Sequence, residues 1–129
     1  MIVYLDASAG AKLFLDEAES EGLASFLDSL SDDDVVLSAT LLETELRRAA
    51  VRENADQESV TRVLQSVELI SMPRSLFRVA GAWPHPDLRS LDALHLAAAA
   101  RAEVDAIVTY DRRLQHAAAQ VGIEVLAPG

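Results

Sequence analysis

The chain has 129 residues, half of them hydrophobic and a quarter charged, with few Gly or Pro; this profile fits one globular domain spanning 1–129 and excludes a disordered or fibrous chain. It contains no cysteine, which excludes zinc-thiolate centres, thiol nucleophiles and disulfides and suits a cytoplasmic protein. The net charge of −10 excludes a generic nucleic-acid coat, which needs a basic surface.

Ile2-Val3-Tyr4-Leu5 is a short apolar run, read as a buried strand. No basic segment precedes it, so it does not read as a signal peptide, and no apolar run in the chain approaches the roughly 18 residues of a membrane span. Helical patterns follow at 8–16 and 19–30, closed by Ser31-Asp32-Asp33-Asp34. Val35-Val36-Leu37 is a second strand. Ser38 or Thr40 is then placed to cap a helix reaching Arg52. A helix over 56–66, a strand over 69–72 and a helix over 75–83 lead to the Pro84-His85-Pro86 loop. Ser90 is positioned to cap a helix over 91–103, followed by a strand over 106–109, a helix over 112–121 and a last strand over 123–126. Strands alternating with helices predict an α/β domain: a mostly parallel sheet of four to five strands with helices on both faces. Ligands of such sheets gather at the carboxyl ends of the strands.

Two acids stand at such ends. Asp6 closes the first strand and Asp111 follows the fourth. Each also suits a helix N-cap. Asp92 is harder to explain by structure alone, because Leu91–Ala100 is apolar apart from Asp92 and His95, and a helix apolar on every side is buried. The helix dipole offers a first-turn Asp only about 0.3–1 kcal/mol, less than burying an unpartnered carboxylate costs. His95, one turn later, reads as a satisfied core histidine with Asp92 within reach.

The helix over 40–52 carries two glutamates. At about 100° per residue, Leu41, Leu42 and Ala49 lie within about 60° of Glu45, whereas Glu43 points away beside Arg47. Glu before Arg at i+4 is a favourable surface pair. Glu45, on the border of the apolar stripe, has Arg48 available at i+3. Asp6, Glu45, Asp92 and Asp111 form an all-oxygen set, and hard oxygen ligands select Mg²⁺ or Mn²⁺ over zinc. Such a set suits phosphodiester hydrolysis by a metal-activated water. Residues 1–34 hold nine acids against the single Lys12, and every arginine falls between Arg47 and Arg113, so a basic rim belongs to the later part of the chain.

Four stretches carry a family resemblance: Met1–Ser8 (MIVYLDAS), Ser38–Ala49 (SATLLETELRRA), His85–Ala99 (HPDLRSLDALHLAAA) and Val108–Leu114 (VTYDRRL). In this order, nearly end to end, they resemble the PIN-domain toxins of VapC type, most specifically through LRSLDALHLA. The resemblance implies a three-layer PIN-like fold and an endoribonuclease toxin of a type II toxin–antitoxin system, using Mg²⁺ or Mn²⁺. Its substrate would be tRNA, rRNA or mRNA. It also implies a homodimer silenced by a small VapB-type antitoxin. On this basis Asp6 and Asp92 are the principal metal carboxylates, Glu45 and Asp111 complete the quartet directly or through water, and Ser8 and Thr109 support it. Glu43 remains a second candidate beside Glu45. The antitoxin is expected to use a groove among Leu13, Phe14, Leu15, Leu23, Phe26 and Leu27.

Three other readings fit less well. A phosphorelay receiver needs an acceptor Asp after its third strand and a late Lys, but the third strand here leads into Met72-Pro73-Arg74 and the only lysine is Lys12. A haloacid-dehalogenase-like phosphatase needs a second Asp where Ser8 stands. A non-catalytic PIN-like binding module keeps the same fold and differs only in lacking cleavage.

Overall fold

In the computed structural model, which describes residues 1–129, five parallel strands form one sheet in the order β3-β2-β1-β4-β5. The strands are β1 (Ile2–Leu5), β2 (Val35–Ala39), β3 (Glu68–Ile70), β4 (Ala106–Val108) and β5 (Glu124–Leu126). The helices α1 (Ala7–Lys12) and α2 (Ser20–Asp28) connect β1 to β2, and α3 (Leu41–Arg52) and α4 (Gln57–Gln65) connect β2 to β3. On the other side, α5 (Arg74–Gly81) and α6 (Ser90–Arg101) lead to β4, and α7 (Arg112–Gln120) leads to β5.

The chain builds outward from β1 in one direction and, after β3, returns to build outward in the other. Parallel crossovers are almost always right-handed, so this reversal puts the two sets of helices on opposite faces. Each face has its own core. Val3, Leu5 and Val108 pack with Ala9, Leu23, Leu42, Leu46, Val60 and Val63 from α1 to α4. Tyr4, Leu37 and Ile107 pack with Leu76, Leu96 and Leu114 from α5 to α7. The alternation of Val3, Tyr4 and Leu5 between two buried faces explains why β1 reads as an unbroken apolar run. Between β1 and β4 the winding reverses, which opens a crevice at their carboxyl ends.

Several sequence expectations shift. The helix expected over 8–16 ends at Lys12, where bonds of Leu13 N to the Gly10 carbonyl and Phe14 N to the Ala11 carbonyl tighten the turn. The helix expected over 19–30 is Ser20–Asp28. Neither Ser38 nor Thr40 caps α3 with its side chain: Ser38 lies within β2 and donates to the Leu5 carbonyl at 2.6 Å, while Thr40 already has helical backbone angles. Ser90 is the first residue of α6, not its cap, and Arg89 precedes it in extended conformation. The third strand stops at Ile70 because its partner β2 ends opposite, at Ala39. Thr109 lies just past β4, whose Val108 pairs with the last residue of β1.

Of the six apolar residues assigned to a partner groove, Leu23 is fully buried in the core and the other five are half-buried. Leu13, Phe14 and Leu27 line an open groove with Ala24, Arg62 and Val63, between α2 and α4. No helix is long and apolar enough to cross a membrane.

Candidate active site

Asp6 leaves the end of β1 and is only 2 % exposed. Its Oδ1 accepts from Ala9 N at 2.9 Å, capping α1, and from the Ser8 hydroxyl at 2.7 Å; its Oδ2 accepts from the Thr109 hydroxyl at 2.6 Å. The two hydroxyls are oriented by the turn after β4. Ser8 Oγ accepts from Tyr110 N at 2.9 Å and Thr109 Oγ1 from Asp111 N at 3.1 Å, so each passes its own hydrogen to Asp6. This turn thereby aims two donors at one carboxylate. Burial still pushes the Asp6 carboxyl above its usual range, against the three hydrogen bonds that favour its anion.

Asp111 caps α7 through Leu114 N at 3.0 Å. The N-cap reading of Asp6 and Asp111 is therefore correct for both, and it fixes both carboxylates at the crevice between β1 and β4.

Asp92 lies half-buried in the first turn of α6. Burial pushes its carboxyl up to about 6, and repulsion from Asp111, Asp6 and Glu45 adds to the shift, with His95 opposing it. These interactions bring the four acids of the predicted quartet into one electrostatic neighbourhood.

Glu45 reaches this neighbourhood from α3, with a side chain 14 % exposed. Its partner is not Arg48, as its spacing suggests, but His95, whose Nε2 lies 2.5 Å from Glu45 Oε1. His95 in turn does not bond Asp92; its Nδ1 lies 2.7 Å from the Tyr4 hydroxyl. Arg48 is exposed and lines the cleft beside Glu45 without bonding it, while His95 is buried and needs an acceptor for its ring N–H. Glu43 behaves as its helical position predicts: its side chain is 50 % exposed and accepts from Arg47 Nε at 3.0 Å.

The sequence profile of the PIN domain matches residues 3–120. Ribonuclease VapC35 of Mycobacterium tuberculosis is 39% identical over 133 residues, covering 99% of this chain and 98% of that protein. The chain belongs to the PIN-domain family, and to its VapC type. Solved structures share the fold. VapC20 of Mycobacterium tuberculosis, a sarcin-ricin loop cleaving toxin, superposes with a TM-score of 0.80 at 15% identity, covering 98% of this chain and 99% of that one. VapBC-1 from nontypeable Haemophilus influenzae gives 0.71 at 13% identity, covering 98% and 97%.

In this PIN domain no three His, Asp or Glu side chains are arranged to hold one ion by themselves. The donor chemistry nevertheless fits a hard cation. All four acids offer oxygen, and Mg²⁺ is usually held by one or two carboxylates with waters and substrate phosphates completing its shell. The carboxyl of Asp92, raised by burial and by the neighbouring Asp111, Asp6 and Glu45, marks negative charge that the protein's own groups leave uncompensated.

The pair Tyr4 and His95 escapes sequence reading as part of the site. Its signal is present: a phenol inside a buried strand and an imidazole inside an apolar helix each require a polar partner.

Proposed function

We propose that this chain is the toxin ribonuclease of a type II toxin–antitoxin pair, a cytoplasmic protein that hydrolyses RNA phosphodiester bonds with Mg²⁺ or Mn²⁺. The observation that carries this reading is Asp92, half-buried and surrounded by Asp6, Asp111 and Glu45, its carboxyl pushed up to about 6. Isolated carboxylates avoid such a place, and a divalent cation removes the penalty. Asp6 and Asp92 are the principal ligands in this reading, with Glu45 and Asp111 acting directly or through water. When bound, the cation neutralises the carboxylates and the phosphodiester and makes a neighbouring water easier to deprotonate.

The protein's own groups supply order. Ser8 and Thr109 hold Asp6 in one orientation as an acceptor, Leu114 N holds Asp111, and His95 holds Glu45. Orientation of this kind saves reorganisation at the moment of reaction. The family relation supports the ribonuclease reading through proteins named VapC ribonucleases. Toxin–antitoxin assemblies among the structural neighbours support a VapB-type antitoxin as partner. A homodimer is the expectation that the family resemblance adds to this reading.

The test is to incubate antitoxin-free protein with total RNA and Mg²⁺ or Mn²⁺ and map new 5′ ends. Discrete, metal-dependent cuts that disappear in Asp6→Asn and Asp92→Asn are expected. Absence of cutting by the wild type, or cutting that persists in both variants, overturns the reading.

A further inference from the structure

Beside the carboxylates lies a cleft of about 480 Å³, bounded by α1, α3 and the start of α6. Ser8 and Glu45 form its inner end, so it is continuous with the site described above. Arg48 and Arg52 line its outer wall, and Leu41 and Leu91 contribute apolar surface. Leu91 is 47 % exposed although it is a large aliphatic side chain at the mouth of a polar site.

The arginines of α3 divide sharply by use. Arg47 is engaged by Glu43, Gln57 and Thr61. Arg48 and Arg52 are exposed, and the ion pairs of the fold involve neither. Four residues apart on one helix, they share a face and stand about 6 Å apart along its axis. This matches the scale on which successive phosphates follow one another along an extended single strand.

We infer that this cleft is the seat of the nucleotide flanking the cut bond, with Arg48 and Arg52 gripping phosphates of single-stranded RNA and Leu41 and Leu91 receiving a base. The inference rests on the ribonuclease reading above and extends it to a substrate subsite. Charge argues for it. A chain of net charge −10 repels RNA, and the carboxylate cluster does so most strongly where the substrate must enter. Two uncompensated guanidiniums on the wall of the same cleft oppose that repulsion where it matters. Guanidinium geometry matches a phosphate with paired N–H donors. The volume falls within the range of pockets that enclose small ligands, which suits one nucleotide and not a duplex.

The test uses the full chain. Binding of a labelled single-stranded RNA oligonucleotide is followed by fluorescence anisotropy in Ca²⁺ across a salt series, and cleavage is followed in Mg²⁺. At about 0.1 M salt, Arg48→Gln and Arg52→Gln should each weaken binding about threefold to tenfold and flatten the salt dependence by about 0.7 in log–log slope. In cleavage, the loss should fall on KM more than on kcat. Arg78→Gln, an exposed change on α5, is the control and should bind as wild type does. Wild-type affinity and slope in both α3 variants overturn the inference, as does a wild type that fails to bind RNA. So does retained RNA affinity with lost affinity for an acidic peptide, which would assign the cleft to a protein partner. A wild type that binds RNA through both arginines but never cuts keeps the phosphate grip, removes the ribonuclease reading and with it the placement beside a cut bond. Cutting unaffected by either substitution does the reverse.

Discussion

His95 Nε2 lies 2.5 Å from Glu45 Oε1, joining α6 to α3 across the carboxyl ends of the strands. The two helices pack on opposite faces of the sheet, so this bond crosses the crevice where the winding reverses. Because Glu45 accepts, Nε2 carries the hydrogen, and the partners assign the tautomer: Tyr4 is left to donate its hydroxyl hydrogen to Nδ1. Burial holds the Tyr4 phenol protonated, which keeps it a donor. A strand residue thus fixes a helix residue, which fixes the carboxylate.

Removing the middle member tests this chain. His95→Leu keeps an apolar filling but leaves the Tyr4 hydroxyl buried without its partner, which should cost about 1–3 kcal/mol of stability. With Glu45 no longer held, RNA cleavage should fall by about tenfold or more, the equivalent of at least 1.36 kcal/mol of transition-state stabilisation. Tyr4→Phe keeps the bond from Nε2 to Glu45 and should lose far less activity. Denaturant melts and initial rates measured together check both. Full activity in His95→Leu would show that Glu45 needs no support.

The raised carboxyl of Asp92 makes stability depend on pH. In the unfolded chain this group ionises near 3.8, and in the folded protein near 6. Between these values the folded state binds more protons, so its stability falls as pH rises through that window and stays lower above it. Asp92→Asn cannot ionise. In EDTA at pH 7.5 it should therefore be more stable than wild type, on the order of 1 kcal/mol after allowance for solvent screening of a half-exposed group. For a domain of this length that is a gain of roughly 3–5 °C in Tm. At pH 4 most of the difference should vanish. Adding Mn²⁺ should raise the wild-type Tm and leave the variant nearly unmoved. Thermal melts at the two pH values, with and without metal, decide the matter; a less stable variant at pH 7.5 in EDTA overturns the assignment of strain to Asp92.

Thr109 holds two carboxylate-bearing segments at once, donating to Asp6 and accepting from Asp111 N. Thr109→Val preserves shape and removes the hydroxyl. Asp6 loses its only Oδ2 partner, a charge-assisted bond, and the expected loss is about 1.5–3 kcal/mol of stability. Thr109→Ser should restore most of it. Chemical denaturation gives the ranking directly, and a Val variant as stable as wild type would mean that the hydroxyl contributes nothing.

The parts of this fold that sequence reveals are those set by local periodicity. The apolar run before Asp6, the all-round apolar helix after Ser90 and the opposed faces of Glu43 and Glu45 are each readable from spacing alone. What spacing cannot supply is a partner from a distant element. His95 and Glu45 are fifty positions apart, and Arg48 is the nearer candidate along the helix, yet the fold joins Glu45 to His95. The same limit applies to Ser38, which the sequence suggests as a cap and the structure uses to tie β2 to the Leu5 carbonyl. Strand order is also non-local. The edge position of β3 removes any pocket after the third strand of the receiver kind, whose sheet order differs.

The two glutamates of α3 give the sharpest separation of roles, because their side chains differ in exposure and partner while sharing one helix. Glu45 is 14 % exposed and held by buried His95; Glu43 is 50 % exposed and paired with Arg47. Glu45→Gln keeps an acceptor for the His95 N–H, so the fold should persist while the charge disappears. Cleavage should then fall well over tenfold, since loss of a carboxylate at a metal site costs several times 1.36 kcal/mol. Glu43→Gln removes a surface pair worth roughly 0.2–0.5 kcal/mol of helix stability. Arg47 keeps its bonds to Gln57 and Thr61, so this variant should cut RNA nearly as wild type does. Circular dichroism of both proteins comes first, so that unfolding is not mistaken for lost chemistry, and initial rates in Mg²⁺ follow. If Glu43→Gln is the inactive protein and Glu45→Gln the active one, the site must be rebuilt around Glu43, and the bond from His95 to Glu45 becomes a structural tie between helices with no part in the reaction.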